Sequence, residues 1–204
     1  MFKFSSLAAA LGVVASLTVA PAQATPVRFT ASLTGAAELP TNSSAGVGFA
    51  NLFFDIDLHT LSIDLTFSGL TGNTSAAHLH CCTATPFANA NVGVATTTPY
   101  FAGFPIGVKA GTFTTVLDTT LASSYNPAFV TAQGGIANAE LALFNGLKAS
   151  KAYFNLHTSV FPGGEIRGFT LEVPEPASLA LVLLALGGIG LSSRKRATPA
   201  FSAA

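Results

Sequence analysis

The chain of 204 residues carries nine basic and nine acidic side chains, so its formal net charge at pH 7 is zero. Residues 25–173 hold five of the basic and eight of the acidic residues, a net charge of −3. This balance excludes the surplus of positive charge through which proteins bind nucleic acid by counterion release. We therefore expect no nucleic acid among the partners.

The first predicted element is an export signal at residues 1–24. A single charge, Lys3, precedes an uncharged apolar run over residues 7–20, and small residues lead to Ala24. The run is too short to cross a hydrocarbon core of about 30 Å. This order of parts is typical of a signal peptide, so we expect the export machinery as a partner and cleavage by signal peptidase between Ala24 and Thr25.

One domain is predicted over residues 25–173, because this length suits a single hydrophobic core. Apolar residues recur with a period of two in short runs separated by Gly- and Asn-rich joints, the pattern of half-buried strands. The predicted strands lie at 27–33, 52–58, 63–67, 113–117, 154–156 and 166–171. Many short strands with turn signals predict an all-β protein, built as a β-sandwich.

Two connections in this domain have their own signals. His59 sits between two strand runs and is expected to be a solvated residue of a hairpin turn, with Asp55, Asp57 and Asp64 on the solvent-facing sides of that hairpin. The segment 138–149 instead has helical spacing and good helix formers, so it predicts one short connection helix.

Half of the histidines and both cysteines fall in the stretch AHLHCC at residues 77–82. Side chains two apart on a strand share a face, so His78 and His80 stand together, with Leu79 on the opposite, core-facing side. His157 lies on the polar side of its own predicted strand, and the three imidazoles form a cluster if the two strands are neighbours. Because neutral imidazole binds copper and zinc well, such a cluster is a candidate metal site. Structural hydrogen bonds to the adjoining loop and turn are the favoured interpretation, and metal binding is the hypothesis set against it.

Cys81 and Cys82 admit three interpretations. In an oxidising compartment, two cysteines with no others form a vicinal disulfide most simply. Two free thiols are the second alternative. Thiolate ligation of a metal beside the histidines is the third, although adjacent strand residues point to opposite faces.

A turn and a charged pair are predicted near the end of the domain. Glycines permit the tight turn at residues 162–164. Glu165 and Arg167 then share a strand face, where they are expected to pair with each other or with Glu38. A surface pair contributes only about 0–1 kcal/mol, whereas a buried Glu38 or Glu165 paired with the arginine would fix the loop arrangement. Glu165 and Asn155 are further candidates for ligating the metal or orienting its histidines.

The last predicted element covers residues 174–197. A hydrophobic segment followed by positive charge stays in the membrane with that charge in the cytoplasm. The parts are Pro174, Glu175 and Pro176, an apolar helix at 177–191, the basic cluster Arg194, Lys195 and Arg196, and a tail at 198–204. They resemble the PEP-CTERM sorting signal of Gram-negative bacteria. The resemblance implies an exosortase as partner, transient anchoring in the inner membrane, and a final place on the outer surface or in the extracellular matrix.

Three segments of the domain resemble the CHRD family: ASLTGAAELP at 31–40, AHLH at 77–80, and YFNLHTSVFPGGEIRG at 153–168. The resemblance covers roughly residues 28–171. It implies an immunoglobulin-like or superoxide-dismutase-like β-sandwich that is secreted or surface-exposed, with no established enzyme activity. The sequence departs from the family at Cys81, where many members have glycine.

Two functions are consistent with these features. The leading hypothesis is a non-enzymatic exported surface or exopolysaccharide-associated matrix protein, which binds polysaccharide or another secreted protein. An aromatic patch of Phe53, Tyr100, Phe101 and Phe104 is a candidate contact surface, and ordinary packing of the loop aromatics is the favoured alternative. The alternative is a copper- or zinc-binding metalloprotein built on His78, His80 and His157. It would be either a metal-binding module or a dismutase-like redox enzyme.

Overall fold

The structure, a computed structural model, describes residues 26–174. The predicted signal peptide, its cleavage site and the sorting signal from Glu175 onward lie outside the described residues. Within the described range, no helix is long and apolar enough to cross a membrane.

The described residues form a curled antiparallel sheet, which confirms the all-β prediction and gives a sandwich-like fold. The strands are β1 (Val27–Thr34), β2 (Val47–Asp55), β3 (Thr60–Ser68), β4 (Thr74–His80), β5 (Gly111–Asp118), β6 (Tyr153–Thr158), β7 (Ile166–Phe169) and β8 (Leu171–Glu172). Their spatial order is β4-β6-β7-β1-β2-β3-β5, with β8 paired to β1. The alternation of apolar and polar residues produces this sheet because every second side chain faces the core.

The hairpin between β2 and β3 differs from the prediction in two residues. Asp55 is 5% exposed, and its carboxylate accepts hydrogen bonds from the backbone N–H groups of Asp57 (3.0 Å) and Leu58 (2.9 Å). It therefore caps the turn from inside instead of facing solvent. His59 is exposed, but it is not merely solvated, since its Nδ1 lies 2.9 Å from a carboxylate oxygen of the buried Glu140.

Two short helices connect β5 to β6. The predicted connection helix is confirmed as α2 (Ile136–Lys148), and α1 (Pro127–Gln133) precedes it. The prediction of a single helix missed α1, although its local signals are present. Asn126 accepts a hydrogen bond from the N–H of Ala128 as N-cap, proline follows at the first helical position, and Gly134 ends the helix with φ of 79°.

Aromatic side chains from the strands, from α2 and from a loop fill the core. Phe144 of α2 packs on Phe54 with ring centroids 5.2 Å apart. Phe101 lies 5.9 Å from both Phe113 of β5 and Phe154 of β6. A loop aromatic thus joins strands from opposite ends of the sheet order within one core.

The predicted aromatic contact patch is wrong. Phe101 is fully buried and Phe104 is 4% exposed, while Phe53 is half-buried beneath Arg28. Tyr100 alone of the four is exposed, at 38%. The loop that carries Phe101 and Phe104 directs both side chains into the core, so no exposed patch forms. The sequence pattern does not reveal this burial, because the apolar residues of the loop have no regular spacing.

Strand β4 is covered on both edges. One edge pairs with β6, and the other receives the segment 93–109 through hydrogen bonds from Ala77 N–H to Pro99 O (3.2 Å) and from Cys81 N–H to Gly93 O (3.2 Å). Val94 also forms a bridge to His80. The histidines of β4 therefore lie inside the molecule, beneath the chain that follows them.

Candidate metal centre

The histidines come together because β4 and β6 are antiparallel neighbours. The register pairs His78 with Asn155, His80 with Tyr153 and Ala76 with His157, so His157 stands diagonal to His78 on the same face. The ring centroid of His78 lies 4.8 Å from the ring centroid of His80 and 4.7 Å from that of His157. One ring nitrogen from each residue lies within 4.8 Å of the other two.

Two of the imidazoles are held by backbone carbonyls. His80 Nδ1 lies 2.7 Å from Val92 O, and His157 Nδ1 lies 2.9 Å from Pro162 O. A carbonyl oxygen only accepts, so each Nδ1 carries the hydrogen and each Nε2 keeps its lone pair. Both tautomers are therefore set by atoms outside the cluster.

The remaining nitrogens have no hydrogen-bond partner. They are His78 Nδ1, His80 Nε2 and His157 Nε2, and all three atoms are buried. A buried polar atom without a partner normally costs about 1–3 kcal/mol, and here three such atoms share one cluster.

The environment keeps the rings neutral. Burial, with a smaller contribution from the neighbouring His80 and His157, lowers the pKa of His78 to about 3. Burial also lowers the pKa of His80 to about 4, against the opposing effect of its hydrogen bond to Val92. Burial holds the pKa of His157 below its usual range as well. At neutral pH each ring thus offers a lone pair.

The sequence prediction of a polar, core-averted face needs one correction. The three histidines do face away from Leu79, but His78 is 5% exposed and His80 is 9% exposed. The chain after β4 folds over them, and Tyr153 stacks on His80 at 4.7 Å with an interplanar angle of 10°. The polar side of these strands is therefore a second buried layer.

The two cysteines do not join the cluster. The structure links Cys81 and Cys82 in a vicinal disulfide. Their sulfurs lie 3.8 and 3.5 Å from Ala142 O of α2, and a Cβ on Gly146 would overlap both sulfur atoms. The pair thus packs against the helix, on the side of β4 away from the imidazoles.

Glu165 is a buried carboxylate that stands apart from the histidine cluster. It accepts hydrogen bonds from the Ser44 hydroxyl, the Thr158 hydroxyl, and the N–H groups of Thr71 and Gly72. Burial alone would raise its pKa, but these donors hold the pKa below its usual range. Both carboxylate oxygens of Glu165 are occupied by these hydrogen bonds. The structure therefore does not place Glu165 among the candidate metal ligands.

Arg167 is buried, not a surface residue, and does not pair with Glu165. Its Nε donates to Ala37 O and lies 3.9 Å from a Glu38 carboxylate oxygen, and its guanidinium lies 4.8 Å from the centroid of the Tyr153 ring. Burial raises the pKa of Glu38 to about 7, although Arg167 opposes the shift. A fixed cation therefore lies behind the ring that stacks on His80.

The structural interpretation expected hydrogen bonds from the histidines to the adjoining loop and turn, and His80 and His157 make them. The particular acceptors, and the stacking of Tyr153, were not identified. The carbonyl of Val92 belongs to a loop with no periodicity, so no sequence signal reveals it. Pro162 follows His157 in a predicted turn, and that turn is the signal for its carbonyl. Tyr153 shares a strand face with His157, but its stacking on His80 depends on the register of β4 and β6.

A family model for the CHRD domain matches residues 29–170, most of the chain and nearly all of the described structure. The chain belongs to the CHRD domain family. A second model, the PEP-CTERM protein-sorting motif, matches residues 172–196. No curated protein and no solved structure matches significantly.

The sorting motif indicates where this CHRD protein is located. The sorting motif marks it for export and for processing by an exosortase, which places it at the surface or outside a Gram-negative cell. Neither family is an enzymatic one. The histidine cluster lies inside the CHRD domain, with His78, His80 and His157 all within the matched range.

Proposed function

We propose that this exported CHRD domain binds one copper or zinc ion through His78, His80 and His157, as a metal-binding and non-enzymatic module. One observation carries the proposal: three buried, neutral imidazole nitrogens without partners converge within one cluster. Such a group matches the nitrogen donors that both metals take from proteins.

The surroundings of the cluster support a ligand function over a purely structural one. A metal-bound histidine usually donates its second N–H to a backbone carbonyl or carboxylate. His80 and His157 do so to Val92 O and Pro162 O, and these bonds direct the other nitrogen of each ring inward. A purely structural function would be served by the hydrogen bonds of Nδ1 alone. It would not account for the unpartnered ring nitrogens that meet in the cluster.

Burial of the donors favours binding over catalysis. A dismutase-like reaction needs an open coordination position that substrate reaches from solvent. The three free nitrogens are buried. We therefore infer sequestration or structural use of the ion at the cell surface or in the exopolysaccharide matrix. Polysaccharide or a second secreted protein is the partner we propose there.

Elemental analysis of the exported protein, isolated without added metal, tests the proposal. We expect close to one copper or zinc per chain, lost in a His78→Ala/His80→Ala double variant. His59→Gln is the matched control, because His59 lies outside the cluster and glutamine retains a donor toward Glu140.

Two results would contradict metal binding. One is a parent protein that takes up neither metal, even after incubation with excess copper or zinc. The other is an equal metal content in the parent and the double variant, since the ion would then be held elsewhere. Circular dichroism of each variant separates loss of ligands from loss of fold.

A further inference from the structure

We propose that the centre selects monovalent copper, Cu(I), over Zn(II) and Cu(II). This inference rests on the proposed metal-binding function and specifies its ion. Two properties of the described residues support it, the number of donors and the charge around them. The state of the cysteines bears on where in the chain Cu(I) would bind.

The donor count favours an ion that accepts three ligands. Zinc in proteins is almost always four-coordinate, and Cu(II) prefers four or more donors in a tetragonal arrangement. Among the described histidine, cysteine, aspartate and glutamate side chains, the group that could hold an ion here consists of three imidazoles. The carboxamide oxygen of Asn155, opposite His78 in the register, is a neutral oxygen and adds no charge to this set. The three free nitrogens are buried, so solvent has little access to them as a source of a fourth ligand. Cu(I), a filled-shell ion, is satisfied by three nitrogens.

The electrostatic environment favours the lower charge. All three donors are neutral, so the full charge of the ion stays uncompensated by its ligands. Arg167 is 1% exposed, with its guanidinium 4.8 Å from the Tyr153 ring, which itself stacks on His80 at 4.7 Å. Coulomb repulsion from this fixed cation is twice as large for a divalent ion as for a monovalent one. The carboxylate of Glu38 is 3.9 Å from Arg167 and offsets only part of that charge.

The disulfide removes the competing soft ligands. Thiolates bind Cu(I) more readily than imidazoles do, and both cysteines of the chain are joined to each other. The single methionine of the sequence is Met1, in the predicted signal peptide. The imidazole cluster is thus the site that remains for Cu(I) in residues 26–174.

An anaerobic competition titration of the metal-free exported protein tests the selection. Cu(I) is offered against a chromogenic Cu(I) chelator, and Zn(II) and Cu(II) are offered against chelators of known affinity. We expect one Cu(I) per chain, bound roughly tenfold or more tightly than Zn(II) or Cu(II). Zn(II) or Cu(II) binding as tightly as Cu(I) would overturn the selection and leave metal binding intact. Failure of all three ions to bind would instead remove the proposed function.

Two charge variants test the cause, with opposite expected signs. Arg167→Gln removes the cation and keeps amide donors, so the preference for Cu(I) over Zn(II) should shrink roughly threefold or more. Glu38→Gln removes the offsetting anion, so the preference should grow. Arg167→Lys keeps the charge and is the control. An unchanged preference in Glu38→Gln would contradict the electrostatic argument even if Arg167→Gln fails to fold.

Discussion

At the scale of single residues, the histidine cluster links stability to pH. His78 and His80 have pKa values lowered by burial to about 3 and about 4, against 6.5 in the unfolded chain. Between these values the unfolded chain binds more protons than the folded one, so acid favours unfolding. Each group's contribution is fully present above pH 6.5 and is lost as the pH falls below it.

We therefore expect the metal-free protein to lose about 2 kcal/mol of unfolding free energy for each of His78 and His80 between pH 7 and pH 5. Urea denaturation at the two pH values measures the loss. In His78→Gln, the loss of unfolding free energy between pH 7 and pH 5 should be smaller by about 2 kcal/mol, the contribution of one histidine. Glu38, with its pKa raised to about 7, acts in the opposite direction, because its protonated form is favoured in the folded state.

Comparing the parent with His78→Gln removes the contribution of Glu38, since both proteins contain it. Equal losses between pH 7 and pH 5 in the two proteins would contradict the buried, neutral state of His78. Such a result would also weaken the metal-binding proposal, which requires the same lone pair.

At the scale of elements, the contact between the end of β4 and α2 depends on a glycine. Gly146 is buried in α2, and a side chain there would overlap the sulfurs of both Cys81 and Cys82. Two sulfurs joined in a small ring cannot move aside as a flexible side chain does. The glycine is therefore needed for the close approach of helix and disulfide.

Gly146→Ala should destabilise the protein by about 1–3 kcal/mol, although alanine favours helix by about 1 kcal/mol. Thermal or urea unfolding measures the change. Asn145→Ala, at the neighbouring exposed position of α2, is the matched control and should be neutral or slightly stabilising. In a Cys81→Ala/Cys82→Ala background the penalty of Gly146→Ala should disappear. A stabilising effect in the parent would show that the helix and the disulfide are not in contact.

At the scale of the whole molecule, the folded domain continues into its sorting motif. Glu172 of β8 pairs with Phe29 of β1, and the N–H of Val173 donates to Arg28 O at 2.8 Å. The PEP-CTERM motif begins at residue 172. The first residues of the motif thus belong to the sheet, beside the first strand of the domain.

A chain ending at Val173 keeps the sheet contacts described here and lacks the rest of the motif. We expect this variant to be exported and to melt at the temperature of the processed parent, but to appear in the medium instead of the cell-associated fraction. Fractionation with immunoblotting measures the distribution. An unchanged distribution would show that the motif does not retain the protein at the surface or in the matrix.

Local patterns account for most of the fold. Alternation marks the strands because a half-buried sheet separates core from solvent residue by residue, as in Phe29, Leu52 and Ile63. Helix formers with helical spacing mark α2. The caps of α1 are equally local signals, although the prediction of a single helix did not include it. The spacing of His78 and His80 places them on one face for the same geometric reason.

The sequence by itself determined the all-β class, the strand pattern, the shared face of the β4 histidines and the family, since each is a local or linear property. Tertiary structure alone decided that His157 meets them, that Val92 of the loop after β4 holds His80, and that Arg167 turns to Glu38 and Tyr153 instead of Glu165. Those outcomes depend on which distant segments approach one another. Strand register and the path of aperiodic loops set that approach, and neither is encoded in a short stretch of residues.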